Sequence, residues 1–378
     1  MTKLTHIISR RVTGIVAALL LAAFPDIISS EAAQVSSSVQ AFSMGEANFA
    51  KENVDADVVF RDPDSVIRDR TVYAGGMPFG VKLYTDGLII IGFSDVDSKK
   101  GVTAPAKDAG MQVNDIIISA NGKDVESAAD FIDIVENSGG QPVKVTYLRG
   151  NAKREGVITP SVSQSDGKYR TGMWLRDSTA GIGTVTFILP DSGVFGGLGH
   201  GICDSETGMR VPLSRGITSK VKINGVKKGT PGTPGELQGS FTGDKTGNLV
   251  GNTDNGVFGV FTDMNISGEK FPLGRKSELT EGDAYIICTL DDSGAQKYSV
   301  NISDIHPDST GNKNFLVTVT DKALIDKTGG IVQGMSGSPI IKDGALVGAV
   351  THVLISDPTR GYGIFADNMI AAIPQTLA

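Results

Sequence analysis

The sequence predicts a mainly β fold in three parts: an N-terminal apolar segment, a smaller α+β domain and an all-β domain running to the C-terminus. Three observations carry this reading. Glycine is very abundant, at 48 of 378 residues, which points to many turns. Short runs rich in Val, Ile and Thr recur between Gly, Pro, Asn and Asp, as strands bounded by turns do. No long stretch carries the three-to-four-residue apolar spacing of an extended amphipathic helix, and no internal repeat is evident.

Residues 1–33 read as a signal peptide or membrane anchor. Lys3, Arg10 and Arg11 precede an apolar stretch from Val12 to Phe24, broken by Pro25 and Asp26. That stretch is short for a spanning helix of about 20 residues. Ser30-Glu31-Ala32 offers a small-x-small cleavage site. The positive flank sends the following chain across a membrane, so the expectation is export. Residues 34–71 are polar and aperiodic and read as a linker.

Residues 72–150 form a block of strand, turn and helix signals. Val81–Tyr84 and Leu88–Phe93 read as strands split by a turn at Asp86-Gly87. Asn121-Gly122 is a tight-turn signal, 128–137 reads as a short helix through Phe131, Ile132, Ile134 and Val135, and Val143–Leu148 alternates as a closing strand. The run Pro105-Ala106 to Ala109-Gly110-Met111, then Asn114-Asp115-Ile116-Ile117 and Asn121-Gly122, resembles a PDZ domain. Asn114 stands where glycine is more usual. The resemblance implies capture of an extended peptide or chain end by strand addition. Gly76, Met77, Pro78, Phe79, Gly80 and Val81 are then the expected carboxylate-capture loop, whose N–H groups converge on an anion.

Residues 151–378 read as an all-β sandwich or barrel, with strands at 183–189, 256–261, 283–289, 315–318, 338–341 and 345–351. The strongest chemical motif is Gly334-Met335-Ser336-Gly337-Ser338-Pro339, followed by two strand-like runs around Asp343-Gly344. A nucleophilic serine needs a tight turn whose N–H groups hold the oxyanion, and the N–H groups of Gly334 and Ser336 suit that role. GxSGxP before a β-hairpin is the layout of chymotrypsin-like peptidases, which implies a double barrel.

A serine needs a base. Of four histidines, His6 lies in the export segment and His306 in a polar turn. His200, between glycines in Gly199-His200-Gly201, suits a catalytic role, with His352 as its rival. For the carboxylate that orients the imidazole, spacing leaves Asp204, Asp263, Asp304, Asp321 and Asp326 open.

His200 in its glycine setting, Thr328-Gly329-Gly330-Ile331-Val332-Gln333 leading into Ser336, and a PDZ-like block before the peptidase together resemble the stage IV sporulation protein B family of signalling serine peptidases, family S55. The resemblance implies a triad of His200, Asp321 and Ser336. It also implies export from the forespore into the space between two membranes, self-cleavage, and cleavage of a membrane-bound regulator of an intramembrane protease, leading to sigma-factor activation. PDZ-mediated recognition of other copies of the chain belongs to the same expectation. The alternatives are an HtrA-like envelope quality-control peptidase, in which the PDZ would follow the peptidase, and a non-enzymatic PDZ adaptor.

The remaining features exclude more than they add. A net charge of −7 without a basic block argues against nucleic acid, and pairs such as Lys99-Lys100 and Lys227-Lys228 read as solvated turns. Cys203 and Cys288 have no metal-ligand spacing, and are either a disulfide or two free thiols. No metal, nucleotide or other cofactor motif is present, so none is expected.

Overall fold

The computed structural model describes residues 71–262 and 268–377. The expected export segment, nearly all of the expected linker, His6 and Asp263 lie outside the described residues. No helix among the described residues is long and apolar enough to cross a membrane.

The described chain opens with β1 (Thr71–Ala74) and β2 (Pro78–Phe93). From residue 88 onward β2 belongs to an α+β domain. There β3 (Val96–Ser98) and β4 (Gly101–Thr103) form a hairpin, followed by α1 (Pro105–Asp108), β5 (Ile116–Ala120), β6 (Lys123–Asp124), α2 (Ala128–Asn137), β7 (Val143–Arg149) and β8 (Ala152–Ile158). A short antiparallel pair, β9 (Ser161–Val162) and β10 (Tyr169–Arg170), ends it. The sheet runs β2–β5–β7–β8. Helix α2 starts where it does because Ser127 and Asp130 form a reciprocal capping box. Its Phe131 and Val135, one turn apart, are buried against Leu88, Ile90, Ile117, Val145 and Ile158. Asn114 adopts a left-handed φ of 73°, which asparagine tolerates, and this explains how it replaces the usual glycine.

The chain then returns along β2. Strand β11 (Met173–Ile188) pairs antiparallel with it from Phe93↔Met173 to Pro78↔Thr184. Next come β12 (Val194–Gly197), β13 (Arg215–Lys227), β14 (Glu236–Thr253) and β15 (Gly256–Phe261). The pairings β2–β11–β12–β15–β14–β13–β2 close a six-stranded ring. Its interior holds Phe79, Val81, Leu83, Phe195, Leu249, Val257 and Phe261, with Phe195 stacked on Phe261 at 4.3 Å. Burying each of these large side chains contributes about 1.5–3 kcal/mol. Strand β16 (Lys270–Pro272) pairs with β1 outside this ring.

A second closed barrel follows. It is built of β17 (Gly282–Thr289), β18 (Ala295–Ser303), β19 (Phe315–Val319), β20 (Pro339–Lys342), β21 (Ala345–Leu354) and β22 (Asp357–Phe365), in ring order β17–β18–β19–β22–β21–β20. Helix α3 (Lys322–Thr328) precedes β20 and α4 (Ala366–Ala371) follows β22. Val72, Phe187, Val194 and Phe258 pack with Ile287, Ile341, Leu346, Ile364 and Met369, so one apolar cluster joins the two barrels.

The mainly β class, the α+β domain and the double barrel agree with the sequence reading. The boundaries at 72–150 and 151–378 do not. The first barrel already begins with β2 at Pro78, inside the expected PDZ block, and the α+β domain, residues 88 to about 177, is an insertion in its opening hairpin. The expected turn at Asp86-Gly87 is a kink within one strand: Thr85 Oγ1 donates to the Asp177 carbonyl at 3.0 Å, and Gly87 has φ +95°.

The expected capture loop is also corrected. Pro78, Phe79, Gly80 and Val81 are barrel strand, not a PDZ loop. Phe79 and Val81 are buried in the barrel core, and a Cβ on Gly80 would stand 2.2 Å from the Phe241 ring. Gly76 and Met77 form the bend before β2, with Gly76 N–H donating to the Val185 carbonyl and the Met77 carbonyl accepting from Val185 N–H.

Candidate active site

The serine turn lies between α3 and β20, against the first barrel. Gly334 and Gly337 both take φ +94°, which places Ser336 at the apex of a sharp reversal. Met335, beside it, is fully buried in the second barrel with Ile331, Val332, Ile340 and Val350. Three bonds come from β11: Thr184 N–H to the Ser336 carbonyl at 3.0 Å, Thr184 Oγ1 to the Gly334 carbonyl at 2.8 Å, and Thr186 Oγ1 to the Gly337 carbonyl at 2.8 Å. Both threonines are buried. Within the second barrel, Gly337 N–H donates to the Val350 carbonyl at 2.7 Å and Ser338 Oγ to the Met335 carbonyl at 2.6 Å. Among the described residues, neither the Gly334 nor the Ser336 N–H has a hydrogen-bond acceptor. Two unengaged donors, one on either side of Met335, are what an oxyanion site requires.

His200 reaches the same place from the first barrel. The chain leaves β12 through Leu198 (φ +65°) and Gly199 (φ +68°). Glycine is needed at 199 because a Cβ there would lie 2.8 Å from Thr351 Cγ2. A Cβ on Gly337 would likewise stand 2.5 Å from Leu198 N, so the His200 loop and the serine turn are in contact. Asn252, at the end of β14, clamps this loop: its Oδ1 accepts from Ile202 N–H at 2.8 Å, and its Nδ2 donates to the carbonyls of Ile202 and Val211 at 2.9 Å.

The His200 Nδ1 lies 2.8 Å from the Gly201 carbonyl. A carbonyl only accepts, so this bond puts the proton on Nδ1 and leaves Nε2 as the basic nitrogen. Burial holds the His200 pKa below its ordinary value, opposed by the Gly201 bond. Ser336 Oγ donates to the Thr351 carbonyl at 2.7 Å. The next residue, His352, brings its ring to 4.9 Å from that of His200. Burial, with His200 nearby, pushes the His352 pKa down to about 4, and its Nδ1 is buried without a hydrogen-bond partner.

The carboxylates divide differently from the sequence expectation. The structure does not bring Asp321 to His200. Asp321 is the N-cap of α3, where Oδ1 accepts from Leu324 N–H at 3.0 Å and Oδ2 from Ser299 N–H at 3.3 Å. Asp204 is buried 2.8 Å from Arg176 and caps its own turn through Glu206 and Thr207 N–H. Asp326 is exposed, and Asp304 pairs with His306 at 3.2 Å in an exposed turn. The group that orients His200 here is a backbone carbonyl. Asp321→Ala is therefore expected to lower stability by about 1 kcal/mol through loss of the cap. Peptide hydrolysis should stay within a few-fold of wild type, and a thousandfold loss in a steady-state assay would restore Asp321 to the catalytic set.

Thr184, Thr186 and Asn252 were not singled out by the sequence. Strand β11 is buried at every position from Gly183 to Ile188, and two threonines within that run were the available signal. Cys203 is exposed and Cys288 buried in the second barrel, and both are free thiols; burial raises Cys288 to about 12. Among the described residues, no three His, Cys, Asp or Glu side chains gather as a metal-binding group.

The chain is similar to several known proteins. Over 194 residues it is 26% identical to a Nostoc sp. protein named as a zinc metalloprotease, covering 45% of this chain and 53% of that one. Over 80 residues it is 34% identical to a protein of the same description from Bartonella henselae, covering 21% and 22%. The chain thus spans about half or less of the curated relatives it matches. Among solved structures, the Rv3671c protease of M. tuberculosis in its active form aligns at TM-score 0.30 and 15% identity, over 52% of this chain and 74% of that one. The HtrA-type protease AlgW with a decapeptide aligns at TM-score 0.30 and 16% identity, over 50% and 51%. The PDZ domain of an SdrC-like protein from Listeria monocytogenes aligns at TM-score 0.20 and 24% identity, over 24% and 87%. A PDZ family profile matches residues 101–149. The profile of the SpoIVB peptidase S55 family matches residues 167–370, more than half of the chain and all of the serine turn and His200 loop. The chain belongs to the SpoIVB peptidase S55 family and carries a PDZ domain.

Proposed function

We propose that Ser336 is the nucleophile and His200 the general base of this peptidase, with the Gly201 carbonyl fixing the His200 tautomer. The observation that carries this reading is the contact between the two glycine-bounded turns, one from each barrel, with two free N–H groups beside Ser336. In the reaction, the Ser336 hydroxyl leaves the Thr351 carbonyl by rotation about χ1 and gives its proton to His200 Nε2 as Oγ attacks the scissile carbonyl. The oxyanion is held by Gly334 and Ser336 N–H. The C–N bond then breaks, the proton passes to the leaving amine, and water repeats the sequence to free the acid.

Past Ala349, β20 no longer pairs with β21, so among the described residues the edge of β21 beyond Thr351 has no strand partner, close to Ser336. An extended substrate adds there as a strand.

Hydrolysis requires a neutral His200. Its pKa is held below the ordinary 6.5, so the acid limb of kcat/KM is expected below pH 6.5, with a plateau by neutrality. Stability moves in the same direction. His352 is neutral when folded and takes a proton more readily when unfolded, so its contribution is complete above about pH 6.5 and is lost as the pH falls toward 4. A pH–rate profile with its acid limb above 7 would contradict the assignment.

The biological reading is that of the family resemblance: an exported peptidase that cleaves itself and a membrane-bound regulator during sporulation. Fragment mass spectrometry, after mixing active chain with a Ser336→Ala copy, tests self-cleavage; an intact inert copy counts against it. Alkaline phosphatase fused after residue 34 is expected to be active outside the cytoplasm, and a stable but inactive fusion counts against export. An envelope quality-control role is less well supported, since there the PDZ would follow the peptidase.

A further inference from the structure

A PDZ domain takes its ligand as an added strand between one sheet edge and the neighbouring helix. In this chain that place is filled from within. One edge of β2 pairs with β5 through Leu88↔Ile117 and Ile89↔Ile116. Its other edge pairs antiparallel with the start of β11, through Phe93↔Met173, Gly92↔Trp174, Ile90↔Leu175 and Ile89↔Arg176. Met173 and Leu175 pack with the cluster that holds Phe131 and Val135 of α2, while Trp174 between them is 56% exposed. This is the alternate-residue pattern of a bound extended peptide. The segment is tied to α2 at its far end, where Ala128 N–H donates to Asp177 Oδ2 at 3.1 Å, and the chain leading into it is tied by Lys168, which pairs with Glu136 at 2.9 Å.

We propose that Met173–Asp177 is an internal ligand occupying the PDZ groove, and that an extended peptide with apolar side chains at alternate positions binds only by displacing it. The displaced strand is not a free tail. Eleven residues beyond Met173 it carries Thr184, and then Thr186, whose bonds hold the backbone of the serine turn. Occupancy of the groove therefore feeds directly into the geometry of Ser336. Between the two sites β11 has a register shift at Arg176/Ser178, opposite the kink of β2, which gives the two halves of the strand a point at which to part.

The test uses the full chain and a fluorescein-labelled peptide of the sequence of residues 171–178. The exposed thiol is removed by Cys203→Ser, and a cross-strand lock is installed by Gly92→Cys with Trp174→Cys, on the solvent side of the pair. Anisotropy titration needs no catalysis, so it stands or falls apart from the peptidase mechanism. The oxidised lock is expected to show at least tenfold weaker peptide binding than the same protein after reduction. Met173→Ala with Leu175→Ala is expected to bind the peptide at least tenfold more tightly than wild type. Peptide should change the hydrolysis rate at least threefold in the reduced lock and not in the oxidised one. Equal anisotropy curves for the oxidised and reduced forms, whether both bind or neither does, overturn the proposal. Should the double alanine variant precipitate, the lock alone decides, because each sample is its own control.

Discussion

Replacing Ser336 by alanine is expected to lower kcat/KM for peptide hydrolysis by at least about a thousandfold, or about 4 kcal/mol of transition-state stabilisation. The reason is the loss of the hydroxyl proposed to form the acyl bond; what remains is binding and the two N–H donors. Stability should barely change, because the side chain makes a single hydrogen bond, to the Thr351 carbonyl, worth about 0.5–1.5 kcal/mol. The paired measurement matters. A variant that keeps its unfolding midpoint but loses activity separates a chemical role from a structural one. Activity within tenfold of wild type would remove Ser336 from the mechanism. His200→Gln should give a comparable loss, and the double variant should be little worse than either, because nucleophile and base act as one unit.

The second large effect falls on the fold. Gly337→Ala is expected to destabilise the protein by more than about 3 kcal/mol or to prevent folding. A Cβ at this position would lie 2.0 Å from the Thr184 carbonyl oxygen and 2.5 Å from Leu198 N, both of them backbone atoms, while φ is +94°. Neither partner can retreat alone, since Thr184 N–H holds Ser336 and Leu198 leads into His200. Gly344→Ala is the control. It has a similar φ, +79°, but open space around the new methyl, so it should cost only the left-handed penalty of about 1–2 kcal/mol. Denaturant melts of the two variants distinguish steric contact from backbone strain. Equal losses would mean that the barrels do not meet as closely at Gly337 as described.

The serine turn was legible because its chemistry is local. Two glycines, a serine and a following hairpin occupy 21 residues, Gly334 to Leu354, and no distant partner is needed to recognise them. The strand series of the second barrel was legible for the same reason, and β17 (Gly282–Thr289) spans the run expected at 283–289. Strand ownership was not. Val81–Tyr84 and Leu88–Phe93 alternate in the same way whether their partners belong to a PDZ sheet or to a barrel, and only pairing with residues a hundred positions away decides between them. Asp321 was misplaced for a related reason. The family resemblance put Asp321 in the triad, yet it caps a seven-residue helix that ends on a left-handed glycine at 329. Read as helix punctuation, the same letters describe a capped helix. Gly201 gave no signal at all, since a carbonyl is common to every residue.

The insertion of one domain into the first hairpin of another also has a kinetic side. Pro78 cannot find Thr184 until more than a hundred further residues have been made, and closing a flexible loop of that length costs about 4 kcal/mol of chain entropy. If the intervening domain folds first, Phe93 and Met173 are already neighbours, and the two strands need only zip outward from that point. The PDZ domain then acts as the nucleus of the barrel that flanks it. A chain from which residues 88–177 are excised needs a tight turn in their place before its peptidase can assemble. A cut in one of the domain's surface loops, by contrast, leaves β2 and β11 held together by their ladder.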